Sequence, residues 1–286
     1  MLRPLILIPA WGFYLIGAAQ GRGATMPVMA GLPSPVALLA LTSILICAYL
    51  LNQIFDRETD ERNDKCFYLS RGIFRVRTLV IMSAVFFVVA AYAFQEVAGP
   101  IQRWALLLAL ALSLLYSLPP IRLCARPFLD MLANAVGYGG GAFAIGFGAY
   151  QSSGAEAIMN TIPYVLLVES TFLHTTILDV EGDKASDKIS TTVLIGERRS
   201  ANLAAFFHLL AILAAFATAN FIALIITGLT LPAAIYALKT RTRPASATLI
   251  QVNTLVVAAV AVFLWPVFGA ILVPLVLLAR FYYRRR

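Results

Sequence analysis

Two segments of the sequence place oxygen-bearing side chains four residues apart. The positions in the first segment are Asn52, Asp56 and Asp60, and those in the second are Asp179, Asp183 and Asp187. Side chains at this spacing lie on one face of an α-helix. Mg²⁺ prefers oxygen ligands and is usually held by one or two carboxylates together with substrate phosphates. Two such faces opposed to each other would clamp a diphosphate through bridging Mg²⁺ ions and stabilise the charge on departing pyrophosphate.

Basic residues are interleaved with these acids and would complete a site for an anion. They are Arg57, Lys65, Arg71 and Arg75 in the first segment and Lys184 and Lys188 in the second. The N–H groups of these charged side chains would donate charge-assisted hydrogen bonds to phosphate oxygens. Solvated helix ends with pairs between opposite charges explain either segment taken alone. The matching spacing of the two segments favours a shared site.

The composition indicates what kind of chain positions these segments. Of the 286 residues, 60% are hydrophobic and 13% are charged, with a mean hydropathy of +0.84. A soluble domain carries about 25% charged residues. These values exclude a soluble globular enzyme, a disordered chain and a nucleic-acid-binding domain, and the continuous apolar runs argue against a membrane β-barrel. We therefore expect one all-α polytopic membrane domain over residues 1–286.

Ten apolar segments approach the length of about 20 residues that a membrane crossing requires. They cover residues 4–20, 35–55, 78–98, 102–118, 128–149, 162–178, 201–218, 220–238, 247–264 and 267–283. Only Arg22 and Arg103 of the 22 Lys and Arg residues accompany the connections after odd-numbered segments. Ten segments of this kind predict a multi-pass protein, which we expect in the cell membrane. The positive-inside rule predicts its orientation. Both termini and both acidic segments are expected on the cytoplasmic side, which places the site there.

The order of the motifs resembles that of the UbiA superfamily of intramembrane prenyltransferases. The two acidic segments match the family's aspartate motifs, and the stretch from Tyr116 to Arg122 is similar to its Tyr-Ser-x-Pro-Pro-x-Arg segment. The resemblance implies a helical bundle of about nine spans around a central cavity, whereas the segments above number ten. It also implies Mg²⁺, held by Asn52, Asp56, Asp60, Asp179 and Asp183. It implies a polyprenyl diphosphate as substrate, with Arg122 among the diphosphate ligands and Tyr116 in the catalytic set.

Two places in the sequence depart from the family's pattern. Phe67 and Tyr68 replace an Arg-Pro pair, and Cys124 stands where many members carry Lys. Two cations near the diphosphate are therefore missing, and the basic residues that would substitute for them are Lys65, Arg71 and Arg126. These departures bear on the acceptor and on diphosphate binding, not on the metal site.

Glu169 lies near the middle of an apolar segment, where an ionisable side chain is a candidate functional group. It precedes Asp179 by ten residues, about 15 Å along a helix, which is too far to join the metal site. It would orient an acceptor, act as a base or stabilise a carbocation. The alternative is a protonated carboxyl that hydrogen-bonds to a neighbouring helix. Asp130 and Asn134, which share one face of another apolar segment, would reach the cavity, but helix capping and interhelical hydrogen bonding explain them as well.

Three functions are compatible with these features. The first is a Mg²⁺-dependent prenyltransferase that ionises a polyprenyl diphosphate and alkylates a lipophilic or aromatic acceptor among membrane lipids, with no role for nucleic acid. The second is a terpene cyclase on the same scaffold, in which aromatic rings stabilise a cation quenched within its own chain. The third is a cation-coupled transporter, but transport sites lie near the bilayer midplane, whereas these acids lie at one rim. We favour the first function, with the cyclase as the alternative.

Overall fold

The chain forms a helical bundle in a computed structural model that describes residues 4–24, 26–29, 31–62, 69 and 72–283. Every regular element within these ranges is helical, as the sequence predicts. The α-helices are α1 (Pro4–Gly21), α2 (Pro35–Phe55), α3 (Arg57–Arg62), α4 (Val76–Gln95), α5 (Pro100–Ser117), α6 (Leu129–Asn134), α7 (Gly141–Phe147), α8 (Gly154–Ala185), α9 (Thr191–Ile195), α10 (Glu197–Ala217), α11 (Phe221–Thr240), α12 (Arg243–Leu264) and α13 (Val267–Tyr283).

Helices occupy all ten predicted apolar segments. Within the described ranges, seven helices are long and apolar enough to cross a membrane, namely α2, α4, α5, α8, α10, α11 and α12. Two shorter apolar helices, Ile6–Gly21 and Val267–Leu277, lie in α1 and α13. Two turns separate the last helices at the boundaries of these segments, since α11 begins after its N-cap Asn220 and α12 ends before Trp265.

The fifth predicted segment is not one continuous α-helix. A π-helical stretch, Ala135–Gly140, separates α6 from α7. Three of its six residues are glycines, which lower α-helix stability, and single π turns inside helices are frequent at functional sites. A Cβ at Gly139 would come within 2.5 Å of Cγ2 of Val168. The π turn therefore lies directly against α8, where a side chain would not fit.

Helix α8 is much longer than its apolar segment, which covers only residues 162–178. It has 32 residues and a length of about 48 Å, against a hydrocarbon core of about 30 Å. The backbone hydrogen bonds of the helix continue through the charged residues after position 178. The helix ends at its C-cap, Ser186. Asp179 and Asp183 therefore lie on the last turns of a helix, as their four-residue spacing predicts, whereas Asp187 lies beyond the end of that helix.

Helix α1 is packed closely against α7 because small residues allow the two backbones to approach. A Cβ at Gly17 would overlap the carbonyl oxygen of Phe143, and a Cβ at Gly146 would overlap that of Tyr14. Small residues at helix contacts are typical of membrane bundles.

The turn between α12 and α13 is buried and is also attached to α1. Trp265 is fully buried, and its indole Nε1 donates a hydrogen bond to the carbonyl oxygen of Leu15 at 2.8 Å. Beyond the turn, the ring of Phe268 contacts that of Trp11 edge-to-face at 6.4 Å between centroids. The C-terminal hairpin is thus part of the bundle.

Two short helices flank the end of α8 that carries the second acidic segment. In α3, Oγ1 of Thr59 lies 2.7 Å from Oγ of Ser186, the residue that follows α8. In α9, Oγ1 of Thr192 lies 2.6 Å from Oγ1 of Thr176 in α8. These hydroxyl contacts bring the first acidic segment, which spans the end of α2 and α3, next to the second.

Candidate active site

Asp56 is the centre of the contacts between the two acidic segments. It follows α2 directly and is only 4% exposed. Nη2 of Arg122 donates to its Oδ1 at 2.7 Å, Nδ2 of Asn52 donates to its Oδ2 at 2.9 Å, and Nζ of Lys188 lies 3.3 Å from the same Oδ2. Burial alone would raise the pKa of Asp56, but Lys188 and Arg122 outweigh it and hold the pKa below its ordinary value. Asp56 is therefore an ionised carboxylate.

Lys188 bridges the two segments. Its Nζ lies 3.6 Å from Oδ1 of Asp183 as well as 3.3 Å from Oδ2 of Asp56, which is 132 residues away in the sequence. The backbone N–H of Lys188 donates to the carbonyl oxygen of Asp183 at 2.9 Å, which turns the chain back over the end of α8. Burial would lower the pKa of Lys188, but the two carboxylates raise it above its ordinary value. Lys188 is therefore a fixed positive charge between Asp56 and Asp183.

The first segment keeps its helical spacing although the helix is interrupted. Helix α2 ends at Phe55, yet the N–H of Asp56 donates to the carbonyl of Asn52 and the N–H of Asp60 to that of Asp56, both at 2.8 Å. Asp60 thus lies one turn beyond Asp56 and is half-buried. In the second segment, Asp179 lies one turn before Asp183, also half-buried.

The side chains at this position suit a hard divalent cation. They offer carboxylate and amide oxygens, and the buried Oδ1 of Asp183 has no hydrogen-bond partner in the described part of the chain. No group of three or more His, Cys, Asp or Glu side chains that could hold a metal ion occurs among the described residues. Mg²⁺ needs no such cage, since it commonly takes one or two carboxylates and completes its shell with water and substrate phosphates. Asp56 and Asp183 fit that role.

The predicted diphosphate ligands are placed unequally. Arg122 and Lys188 both contact Asp56, as described above. Lys184 is exposed on the last turn of α8 and forms no ion pair within the described ranges. Arg126, predicted as a substitute cation, instead donates to the backbone carbonyls of Ile121 and Pro120 in its own loop. The predicted ligands Lys65 and Arg71, and the unusual Phe67 and Tyr68, lie outside the described residues.

Cys124, which stands in place of a lysine common in the family, carries no charge here. The side chain is buried and lies close enough to Arg122 for the two groups to interact electrostatically. Burial, reinforced by the nearby Asp56, raises the pKa of the thiol to about 11. The positive charge around Asp56 therefore comes from Arg122 and Lys188.

The two predicted catalytic residues lie at different depths. Tyr116, at the end of α5, is within electrostatic range of Asp56, Asp183 and Asp130. Glu169 is buried on α8, and its Oε2 has no hydrogen-bond partner among the described residues. Because α8 is continuous, Glu169 lies about 15 Å along the helix from Asp179. Tyr116 therefore belongs with the acidic site, whereas Glu169 lies in the apolar interior.

Asp130 positions the loop that carries Lys188, a role that the sequence did not reveal. Its Oδ2 accepts a hydrogen bond from the backbone N–H of Thr191 at 2.8 Å, and its Oδ1 accepts one from the Thr191 hydroxyl. The N–H of Phe128 donates to the same hydroxyl at 2.6 Å. These contacts tie α6 to the start of α9, just after Lys188. The available signal was a carboxylate inside an apolar segment, which indicated an interhelical hydrogen bond but not its partner.

Comparisons with known proteins agree with this architecture. The family model for the UbiA prenyltransferase family matches residues 6–250. A solved UbiA homologue from Archaeoglobus fulgidus, bound to GPP and Mg²⁺, has a TM-score of 0.69 at 19% identity, covering 90% of this chain and 96% of that one. An apo UbiA homologue from Aeropyrum pernix K1 has a TM-score of 0.65 at 16% identity, covering 92% and 98%.

A third solved structure, of a digeranylgeranylglyceryl phosphate synthase, has a TM-score of 0.62 at 16% identity, covering 91% of this chain and 96% of that one. No curated protein sequence is significantly similar to this chain. At these identities the structural matches establish a shared fold.

Proposed function

Because the chain belongs to the UbiA prenyltransferase family, we propose that it is a Mg²⁺-dependent intramembrane prenyltransferase. It breaks the allylic C–O bond of a polyprenyl diphosphate, and diphosphate leaves with the bonding electron pair. A new bond forms between the prenyl carbon and a lipophilic or aromatic acceptor, which loses a proton to solvent. The observation that carries the proposal is the Lys188 bridge. It joins Asp56 of the first acidic segment to Asp183 of the second, with Arg122 on the far side of Asp56.

The metal ligands in this proposal are the oxygen-bearing side chains of the two segments, namely Asn52, Asp56, Asp60, Asp179 and Asp183. Bound Mg²⁺ supplies positive charge that stabilises the leaving diphosphate. Arg122 and Asn52 hold the Asp56 carboxylate in one orientation, so its oxygens are already directed before substrate binds.

Cationic side chains bind the diphosphate in the same site. Lys188 is central, since it faces both segments and remains charged, and Arg122 adds a planar guanidinium suited to phosphate oxygens. Lys65, Arg71 and Lys184 complete the proposed set from the surrounding chain. Charge-assisted hydrogen bonds of this kind hold the diphosphate end at the rim of the bundle while the apolar tail extends between helices.

Tyr116 and Glu169 act on different parts of the substrates. Tyr116 lies within electrostatic range of Asp56 and Asp183. We assign its ring to stabilising the allylic cation by a cation–π interaction. Glu169 lies too deep to reach the diphosphate. We assign it to orienting the acceptor, whose polar group would otherwise be unpaired in the apolar interior.

The protein is a multi-pass membrane protein, as its apolar helices and its family indicate. We propose that it resides in the cell membrane with the acidic site facing the cytoplasm. The support is the distribution of charge, since all but Arg22 and Arg103 of the 22 Lys and Arg residues lie in the even-numbered connections, which include both acidic segments, or at the two ends of the chain.

The test is an assay of purified protein with Mg²⁺ and allylic diphosphates of several chain lengths, with and without aromatic or lipid acceptors. We expect release of pyrophosphate that requires both Mg²⁺ and an acceptor, and a prenylated acceptor in the lipid extract. A cyclic hydrocarbon or alcohol formed without acceptor would instead identify a cyclase. Transport of substrate across a reconstituted bilayer without pyrophosphate release would exclude both enzymatic functions.

A further inference from the structure

A second cavity lies at the same end of the bundle, on the other side of α8 from the acidic site. Its volume is about 190 Å³, and its lining residues are Ile177, Glu197, Arg198, Ala201, Arg241 and Ser246. Successive residues of an α-helix are rotated by about 100°, so Ile177 and Asp179 point in nearly opposite directions from α8. The cavity between α8, α10 and the α11–α12 turn is therefore separate from the proposed catalytic site.

The cavity has two arginines whose charge is not neutralised by the neighbouring acids. The nearest carboxylates pair with Arg243 instead, whose Nη2 lies 2.8 Å from Oε1 of Glu181 and 3.7 Å from Oε1 of Glu197. Neither Arg198 nor Arg241 forms an ion pair within the described part of the chain. Nη2 of Arg241 donates only to the neutral Oδ1 of Asn202 at 3.0 Å, which fixes the guanidinium without cancelling its charge.

The remaining walls of the cavity also favour an anion. The N-terminus of α10 borders it at Glu197, and a helix N-terminus carries partial positive charge from its unpaired N–H groups. Ser246 adds a buried hydroxyl, held by a 2.9 Å contact between its Oγ and Nδ1 of His174. Two guanidinium groups, a hydroxyl and one helix N-terminus thus line one small space, together with the Glu197 carboxylate, which lies 3.7 Å from Arg243.

The surface below this cavity is apolar. On α10, Arg198 and Asn202 are followed on the same helical face by exposed residues at intervals of three or four, namely Phe206 (53% exposed), Leu209 (53%) and Leu213 (54%). The charged end of this face lies at the rim and its apolar end runs into the membrane. This order matches a molecule with an anionic head and hydrocarbon tails.

We propose that this cavity binds the phosphate of an anionic membrane phospholipid, with the acyl chains lying along α10. Arg198 and Arg241 each donate to phosphate oxygens, the arrangement for which planar guanidinium groups are best suited, and basic pockets between membrane helices commonly bind lipid head groups. The site needs neither the proposed metal nor the proposed prenyl substrate, so its test is independent of the catalytic activity.

The experiment measures lipid binding to the purified full-length protein by native mass spectrometry. The probes are phosphatidylglycerol, phosphatidylcholine and inorganic phosphate. We expect one retained phosphatidylglycerol with at least tenfold preference over phosphatidylcholine, and at least tenfold weaker binding in Arg198→Gln/Arg241→Gln. The matched control is Arg199→Gln, which removes the same charge from the next residue of α10, outside the cavity lining. It should bind like the wild type.

Three outcomes would overturn the proposal. An equal loss of phosphatidylglycerol binding in Arg199→Gln would show that general surface charge, and not this cavity, retains the lipid. Equal binding of phosphatidylcholine would remove the preference for an anionic lipid. Displacement of the lipid by millimolar inorganic phosphate, which then binds with the same arginine dependence, would indicate a site for free phosphate. If the double variant fails to fold, the exposed Arg198→Gln alone carries the comparison, because its side chain supports no other contact within the described ranges.

Discussion

The two acidic segments share one spacing but have different surroundings. In the first, Asp56 is contacted by Arg122, Lys188 and Asn52, which together neutralise and orient its carboxylate. In the second, Asp183 is even less exposed, at 2%, but its nearest cation is Lys188 at 3.6 Å and its Oδ1 has no hydrogen bond in the described chain.

Because of this difference, the two acidic segments have different roles in metal binding although their spacing is the same. A buried carboxylate that lacks full compensation is costly, and a metal ion relieves that cost when it binds. Asp56 is therefore an anchored ligand whose geometry the protein sets, whereas Asp183 is the ligand that gains most from the metal. Substitutions on the two sides of Lys188 should accordingly have distinguishable consequences.

The largest effect is expected for Asp183→Asn. Removal of its charge withdraws metal-mediated stabilisation of the leaving diphosphate, worth several kcal/mol, so turnover should fall at least about 100-fold. Steady-state assays of pyrophosphate release against Mg²⁺ concentration would measure it. The control is Asp187→Asn. Asp187 lies just beyond the end of α8 and is exposed, and this variant should stay near wild type. Equal losses in both variants would contradict the special environment of Asp183.

Lys188→Gln should reduce turnover by about 10- to 100-fold and also lower the thermal stability. The ammonium group is the shared counter-charge of two buried carboxylates, and loss of one partner from a buried ion pair leaves the other charge uncompensated. Arg122 still pairs with Asp56, so Asp183 should bear most of the cost. Lys184→Gln, which changes an exposed lysine of the same segment, is the matched control for thermal stability. Its turnover is not a control, because Lys184 is a proposed diphosphate ligand. A thermal-shift assay that finds the two variants equally stable would refute the bridging role.

Asp130→Ala should raise the KM for the diphosphate about tenfold with a smaller change in kcat. Hydrogen bonds to a charged acceptor contribute about 1.5–3 kcal/mol, and their loss frees the segment between α8 and α9 that holds Lys188. Thr191→Val removes the hydroxyl side of the same contact and should act in the same direction, whereas Thr191→Ser should restore the wild-type KM. A purely structural role would lower stability in Asp130→Ala and Thr191→Val without shifting KM relative to kcat.

The smallest effect is expected for Glu169→Gln, which sharpens the contrast between the acidic rim and the apolar interior. The KM for the acceptor or the product distribution should change by roughly two- to tenfold, while diphosphate binding stays constant, because Glu169 lies about 15 Å along α8 from Asp179. Glu156→Gln, at the exposed first turn of the same helix, serves as the control. Unchanged products and kinetics would return Glu169 to a structural role.

Much of this arrangement follows from local pattern. The four-residue spacing predicts that the acids share helix faces, and charge bias predicts that the two faces lie at the same end. The apolar runs locate the helices because a buried helix must be apolar over its whole crossing length. The residues that the structure joins through Lys188 were accordingly among those singled out from the sequence.

The remaining features depend on contacts between residues that are distant in the sequence, so the local sequence could not predict them. Helix α8 continues past its apolar run because α3 and α9 pack on its charged end. The partner of Asp130 is Thr191, 61 residues away. Arg126 donates hydrogen bonds to two backbone carbonyls in its own loop. This contact depends on the geometry of the turn, which the residue type alone does not predict.

The attachment of α1 has a consequence for biosynthesis. The carbonyl of Leu15 meets its indole partner 250 residues later in the chain, and that of Ile6 meets the Tyr138 hydroxyl 132 residues later. Chains emerge from the ribosome in sequence order, so α1 enters the bilayer long before the groups that hold it. Its glycine face must remain against lipid until α7 arrives, and the helix is secured only when the C-terminal hairpin inserts. The attachment of α1 is therefore completed only after α13 has been made.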